Sequence, residues 1–568
     1  MSFEKILPLN SKRRSFVKRI IKPFQNNLTE EEKIYKKWIS NNEPNFLEVK
    51  KQSREKFKLQ PKISIVVPLF NTKEEFFKDL VRGMFLQTYS NWELCLADAS
   101  ETPLTFIDKY CKKDSRIKYT KISENKGISE NTNVAIELAT GDYIGLLDHD
   151  DILPRFSLYE VVKAINSNPD VDFIYSDEDK LETAKGPRYG VFFKPDFSPY
   201  TLNSANYICH FCIFSKKLME KLNGLNPEYD GSQDFDIVSR ASELTSNILH
   251  IPKVLYHWRA HKDSTAQNSD SKPYAYEIGK KVIKDHIKRS LNEDVQVTDG
   301  LTPGSYSIKY SLKVNYKVSI ILDLPDSDEK DIKSILNTIR TCTYENFEII
   351  LLSKKNIKID GIEKIIKYKG TISDTYNEAV KKAEGEYFII MDENLMSIDN
   401  TSYIEELLGI CQDKNVGIVG TKLYNTDKNI EHNGIILGMN GIGDFLYKGV
   451  PKDIGTYMQR LSIIHNVSCV YLKYAMINKT IFSNNGMFNS KFSGLALSID
   501  VCLNILKSGK QVIMNPGVSF CLKKLNNVEK MENESCILYS NWKEYYKRGD
   551  IFFSPNLSLH NTNISINI

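Results

Sequence analysis

The feature that most restricts what this chain can fold into is its likeness to itself. The run SIVVPLFN (64–71) sets over SIILDLPD (319–326), and QTYSNWELCLAD (87–98) sets over CTYENFEIILLS (342–353). These overlays match Ser64 with Ser319, Thr88 with Thr343, Tyr89 with Tyr344, Asn91 with Asn346 and Glu93 with Glu348. Further on, SENTNVAIELATGDYIGLLDHDD (129–151) sets over SDTYNEAVKKAEGEYFIIMDENL (373–395), matching Asn133 with Asn377, Ala135 with Ala379, Gly141 with Gly385, Tyr143 with Tyr387 and Asp148 with Asp392. A tandem repeat of this length means two copies of one fold. Within each copy, short apolar runs alternate with helix-length amphipathic segments, the pattern of a mainly parallel sheet with helices on its faces. The expected organisation is therefore α/β: a helical, basic extension over residues 1–60, a first unit over 61–300 and a second over 315–568. The break falls near residues 295–315, around the Gly- and Pro-bearing stretch NEDVQVTDGLTPGSYS.

Composition narrows the function. Across 568 residues, 41% are hydrophobic and 11% aromatic, enough for sizeable cores. The formal charge of +4 is too small for a nucleic-acid footprint, so no nucleic-acid partner is expected. The 10 cysteines are scattered through apolar runs, as reduced buried thiols are, and no apolar stretch reaches the ~18 residues of a membrane span, so a cytoplasmic protein is expected. Lys5, Lys12, Arg13, Arg14, Lys18, Arg19 and Lys22, interleaved with Phe16, Val17, Ile20, Ile21 and Phe24, suit peripheral contact with an anionic inner-membrane surface as well as they suit a solvated helix. Neither G-x-x-x-x-G-K-[ST] nor G-x-G-x-x-G occurs. Cys209 and Cys212 have no second Cys pair nearby, and NYICHFCIF reads as a buried strand.

Chemistry concentrates where the strand IGLL ends in Asp148, His149, Asp150 and Asp151. Carboxylates spaced by one residue at a strand end suit a divalent cation bound through oxygen, and ligands of open α/β sheets collect at such carboxyl ends. Alone, this pattern is more often a helix cap or a solvated acidic turn. The surrounding motifs decide more. IVVPLFN (65–71), Asp98 of LCLADAS, NKGIS (125–129), GDYIGLLDHDD (141–151), YSDEDK (175–180), NYICHF (206–211), GSQDFD (231–236) and HIPKVLYHWRAH (250–261), in this order, resemble a family 2 glycosyltransferase of the GT-A fold, the Rossmann-like nucleotide-diphospho-sugar transferase fold. DHDD, SDEDK, GSQDFD and YHWRAH together look like modules of bacterial cell-surface glycan assembly, and FFSPNLSL (552–559) resembles their usual ending.

That resemblance implies site roles. Pro68, Asn71 and Asp98 would line the nucleotide pocket, Asp98 accepting the uracil N–H of a UDP-sugar, although the family's usual acidic pair is here a single Asp followed by Ala99 and Ser100. Asp148 and Asp150 would hold Mn2+ or Mg2+ on the donor diphosphate, with His257 completing the metal site. Lys126, Arg259 and His261 are candidates for the diphosphate. Asp177, Glu178 and Asp179 would lie near sugar and acceptor, so Asp177 and Asp179 join the donor-binding set. Asp234 would be the general base of an inverting transfer, while Asp236 would cap the helix that follows.

The internal match also shows what the second copy lacks. Asp98 becomes Ser353, Pro68 becomes Asp323, Asp150 becomes Asn394 and Asp234 becomes Ser498, while Asp148 and Asp236 persist as Asp392 and Asp500. Serine is no base at neutral pH, so the second unit is expected to be non-catalytic, serving acceptor binding, self-association or docking. The expected activity is transfer from a UDP-sugar, such as UDP-GlcNAc or a UDP-hexose, or from dTDP-rhamnose. The acceptor is a hydroxyl of a surface glycan, a glycolipid precursor or a protein Ser/Thr. The alternatives are a catalytically silent glycan-binding scaffold and a bifunctional polymerase.

Overall fold

Each copy builds its own sheet. In the computed structural model, which describes residues 29–261, 273–523 and 532–568, the first copy runs β1 (Ile63–Leu69), β2 (Trp92–Asp98), β3 (Ile117–Lys121), β4 (Tyr143–Leu146), β5 (Phe173–Leu181), β6 (Arg188–Phe192), β7 (Cys212–Ser215) and β8 (Ile248–Arg259). Among the described residues these form an eight-stranded sheet in the order β3-β2-β1-β4-β7-β5-β6, with β8 against β5. The strands β1, β2, β3 and β4 pair in parallel, and β7 enters antiparallel between β4 and β5. Among this unit's helices are α2 (Glu74–Phe85), α3 (Ile128–Glu137), α4 (Pro199–Ser204) and α5 (Gln233–Leu244), and α1 (Glu30–Asn42) precedes it.

The second copy repeats this plan with β11 (Val318–Asp323), β12 (Phe347–Ser353), β13 (Lys364–Lys367), β14 (Tyr387–Asp392), β15 (Leu395–Ile398), β16 (Val416–Asn425), β17 (Met476–Asn478) and β18 (Gln511–Leu522), and with helix α6 (Gly494–Lys507). Its sheet is ordered β13-β12-β11-β14-β17-β16-β18-β15. The long parallel pair β16/β18 stands where β5/β8 stands in the first copy.

The residues matched between copies turn out to be structural clips. Ser64 Oγ donates to Glu93 Oε1 at 2.7 Å and accepts from the Gly141 N–H at 2.9 Å; Ser319, Glu348 and Gly385 repeat both distances. A Cβ on Gly141 or Gly385 would sit 2.6 Å from that serine oxygen, so glycine is required there. The Tyr89 hydroxyl donates to Pro61 O and the Tyr344 hydroxyl to Tyr316 O. Asn133 exchanges two bonds with Leu225, as Asn377 does with Phe488. Buried polar groups must find partners, and these satisfy one another the same way twice. Burial pushes Glu93 up, but Lys62, the Thr140 N–H and Ser64 outweigh it and bring its carboxyl down to about 2; Glu348 is lowered in the same manner.

The stretch between the copies is not an extended linker. The turn GLTPG closes a hairpin of β9 (Val295–Asp299) and β10 (Tyr306–Tyr310), whose Tyr306, Ile308 and Tyr310 are buried. Polar bonds cross between the copies: Tyr200 of α4 donates through its hydroxyl to Asp413 and through its N–H to Asn466, and the Tyr457 hydroxyl donates to Phe193 O. The C-terminal segment returns to the first unit, where Asn556 donates to Asp177 Oδ2 at 3.1 Å and to Pro252 O at 3.0 Å. Tyr35 and Trp38 of α1 are buried with Phe193, Val254, Ile436 and Phe553, at the junction of extension, both units and tail. The basic segment expected to meet a membrane lies outside the described residues. Among the described residues no helix is long and apolar enough to cross a membrane.

Candidate functional site

The parallel strands β2, β1 and β4 end side by side, with Pro68 opposite Ala97 and Val66 opposite Leu146. Their carboxyl ends therefore present Asp98, then Pro68 to Asn71, then Asp148 to Asp151 along one edge of the sheet, the place where α/β sheets take ligands. Asp98 is fully buried; its carboxylate accepts from the Ser100 N–H at 2.9 Å and the Tyr119 hydroxyl at 2.9 Å. Asn71 is exposed at φ 48°, and its N–H donates to Ser100 Oγ at 2.8 Å. Pro68 is half-buried at the end of β1.

The carboxylates after β4 have different environments. Asp148 is open, with 44% of its side chain exposed. Asp150 Oδ2 lies 2.7 Å from His261 Nε2, both side chains about one-fifth exposed (17% and 22%). Asp151 is fully buried: it accepts from the Tyr256 hydroxyl and from the Arg259 N–H at 2.7 Å, and burial, with Asp150 and Asp148 nearby, raises it well above the usual carboxylate range. Asp151 thus pins the acidic turn to the end of β8.

Several residues expected at the site stand elsewhere. His257 is held by Asp179 instead, its Nδ1 2.6 Å from Asp179 Oδ1. Asp179 is fully buried and also accepts from Arg188 Nε and the Tyr35 hydroxyl, so its oxygens are occupied by α1 and β6. Burial alone would raise Asp179, but His257 and Arg188 outweigh it and lower it. Asp177, equally buried, takes the Lys194 N–H at 2.8 Å, His250 Nε2 at 2.9 Å and Asn556. Alternation along β5 explains both, because Asp177 and Asp179 share one face while Glu178 faces the other. Arg259 is 3% exposed, with Nε on Asp150 O, Nη2 3.0 Å from Asp79 Oδ2 and its guanidinium over the Phe76 ring. It buttresses the acidic turn, and its charge is met by Asp79.

Lys126 is exposed in a loop tied to the other candidate segment. Gly127, at φ 100°, leaves room for the Asp230 carboxylate, which accepts from the Ser129 N–H at 3.2 Å. Asp230 precedes α5, which begins at Gln233, so Asp234 lies in its first turn and half-buried. Asp236 does not cap this helix. It sits inside it and pairs with Arg240 one turn on, 2.8 Å from Nε to Oδ2.

His210 was not singled out by sequence. The expected strand NYICHFCIF forms only from Cys212, because Lys194, fully buried, donates its ammonium to Ile208 O at 2.9 Å, His210 O at 2.6 Å and Glu178 at 3.0 Å. The His210 N–H donates to Glu178 as well. Its ring stacks on Tyr256 at 4.8 Å, and Nε2 lies 3.9 Å from Asp148 Oδ2. The same loop meets α5, with Cys209 Sγ 3.9 Å from Asp234 O. The Cys209 and Cys212 sulfurs are 3.8 Å apart and serve packing.

No cluster of three or more His, Cys, Asp or Glu side chains suited to a metal occurs among the described residues. The pair Asp150–His261, a carboxylate oxygen and an imidazole nitrogen opening to solvent, does fit a cation that takes its remaining ligands from a bound phosphate and water.

The chain matches the family model described as Glycosyl transferase family 2 over residues 64–222. This segment belongs to glycosyl transferase family 2. The transferase unit thus contains the edge formed by β2, β1 and β4. Among curated relatives, an uncharacterized protein y4gI of Sinorhizobium fredii is 31% identical over 476 residues, 80% of this chain and 52% of that one. The O-antigen biosynthesis protein RfbC of Myxococcus xanthus is 26% identical over 557 residues, 94% of this chain and 43% of that one. The chain spans about half the length of these curated relatives. Among solved structures, residues 1–349 of Staphylococcus aureus TarS in complex with UDP-GlcNAc align at TM-score 0.34 and 16% identity, over 40% of this chain and 67% of that one.

Proposed function

We propose that the first unit transfers a sugar from a nucleotide-sugar donor to a hydroxyl of a surface glycan or glycolipid precursor, inverting the anomeric centre, and that the second unit does not transfer. The observation that carries this reading is the Asp150–His261 pair beside the open Asp148, at the strand ends of a family 2 transferase unit. Asp150 and His261 would hold Mn2+ or Mg2+; histidine suits Mn2+ better, and His261 takes the role assigned above to His257. When bound, the cation neutralises charge on the departing diphosphate.

The chain's own residues do the rest. Arg259 and Asp151 hold the acidic turn rigid from below, so that Asp148 and Asp150 keep their spacing. Pro68 and Asn71 shape the floor under the base, and Asp98, buried with its oxygens taken by the Ser100 N–H and the Tyr119 hydroxyl, fixes that floor rather than meeting the uracil N–H the resemblance assigned to it. Asp234, at the start of α5, accepts the proton of the acceptor hydroxyl as that oxygen attacks. A glycan acceptor is favoured over a protein one by the likeness to the O-antigen biosynthesis protein RfbC.

Nucleotide release measured with Mn2+ and a panel of nucleotide-sugars tests this. Release with one donor that vanishes in Asp150→Asn and persists in Ser498→Ala is the expected result. Neither release nor metal-dependent nucleotide binding would instead favour the silent glycan-binding scaffold.

A further inference from the structure

The strand registers bring together two residues that the sequence overlay does not pair. Tyr143 of β4 faces Ser215 of β7, and the matched Tyr387 of β14 faces Asn478 of β17. In these registers Ile213 corresponds to Met476, and counting back past the strand starts at Cys212 and Met476 sets Phe211 with Tyr474 and His210 with Lys473. Both residues reach toward the same matched aspartate. His210 Nε2 is 3.9 Å from Asp148 Oδ2, and Lys473 Nζ is 2.9 Å from Asp392 Oδ2.

What each finds there differs. Lys473 Nζ also lies 3.0 Å from Asp323 Oδ2, the residue in the place of Pro68, so its ammonium spans two strand ends. Tyr474 and Tyr376 donate hydroxyls to the same two carboxylates, each at 2.6 Å. Burial opposes the ammonium charge, but Tyr376, Asp392 and Asp323 outweigh it and raise Lys473 well above the ordinary lysine value. A positive charge, fully partnered, thus sits at the strand ends of the second copy. In the first copy Pro68 supplies no carboxylate, Asp148 stays open, and His210 Nδ1 is buried without a hydrogen-bond partner. Lys194 fixes this imidazole through its carbonyl, and Tyr256 fixes it by stacking.

We infer that this register position sets whether a unit's donor site is open: Lys473 is a built-in cation that closes the second site, and His210 leaves the first open and contacts the donor diphosphate beside Asp148. This rests on the donor-site reading of the first unit. A tethered ammonium satisfies the carboxylates permanently and stands where a mobile cation and a diphosphate would have to enter. An imidazole at 3.9 Å leaves that space free and offers a nitrogen to a phosphate oxygen.

The test uses the full chain, with UDP and Mn2+ as the probe in calorimetric titration. His210→Lys, which copies the second unit, is expected to weaken Mn2+-dependent UDP binding by ~100-fold, because its ammonium occupies Asp148 and repels the cation that would bridge it to the diphosphate. His210→Gln, which keeps a hydrogen-bonding side chain, is expected to stay within ~10-fold. Circular dichroism and melting report whether each variant folds. Wild-type-like UDP binding by folded His210→Lys overturns this inference alone, whereas a wild-type chain that binds no UDP with Mn2+ removes the transferase reading and this with it. A second arm does not depend on His210. In an Asp150→Asn background, Lys473→Ala is expected to create Mn2+ binding, seen with the metal alone, that Asp150→Asn lacks. No gain of Mn2+ binding there overturns the reading of Lys473 as a built-in cation.

Discussion

The two units keep the same skeleton and put different chemistry on it. In each, a serine, a glutamate and a glycine tie β1 or β11 to the start of β4 or β14, with serine–glutamate bonds of 2.7 Å in both. At the strand ends the units part. Asp98 and Ser353 still perform one shared task, accepting the N–H two residues on, at 2.9 and 3.1 Å. Asp150 faces His261, whereas its counterpart Asn394 folds back to donate to Asp392 at 3.1 Å. Ser498, in the place of Asp234, donates to Gly494 O within α6 at 3.0 Å. Duplication therefore preserved the groups whose loss would leave buried polar atoms unpaired, and let the groups facing a ligand drift.

The sharpest way to break this contrast is at the base. Asp234→Asn is expected to lower transfer ~100- to 10,000-fold, with Mn2+-dependent UDP binding retained, while Ser498→Ala leaves transfer unchanged; donor-consumption kinetics beside calorimetry reads both. Next are the two histidines. His261→Ala is expected to weaken Mn2+ affinity by about tenfold or more, about 1.4 kcal/mol. By contrast, His257→Ala, which leaves the buried Asp179 short of a partner, acts mainly on stability and lowers the melting temperature. Equal Mn2+ titrations of these variants would remove His261 from the metal site.

The clips should behave alike. Glu93→Gln and Glu348→Gln are each expected to cost about 1–3 kcal/mol, since each leaves buried donors mismatched; urea unfolding measures it. If only one matters, the skeletons are not equivalent. The smallest effect is on pH. Because both glutamates are lowered in the folded chain, their contribution is complete above the ordinary carboxylate value. It is lost as pH falls toward about 2, the value for Glu93. Melting temperature should decline over that acid window, less in Glu93→Gln than in the parent.

Much of this was legible in the sequence because it is local or periodic. The repeat gave two sheets of one plan, the apolar run before Asp148 gave a strand end loaded with carboxylates, and the losses at Ser353, Asn394 and Ser498 stood in plain view. Asp177 and Asp179 misled because a motif does not say which way a strand alternates. Their face of β5 packs against α1 and the C-terminal tail, segments distant in the chain, so burial took the oxygens that the motif offered to a sugar. Sequence alone determined the architecture and where along the chain the chemistry had to lie, since strand ends and helix starts follow from spacing. Only the tertiary structure decided that His261 rather than His257 meets Asp150, and that His210 and Lys473 stand at one position. Those outcomes depend on the register and twist of strands joined across long separations, which no local pattern records.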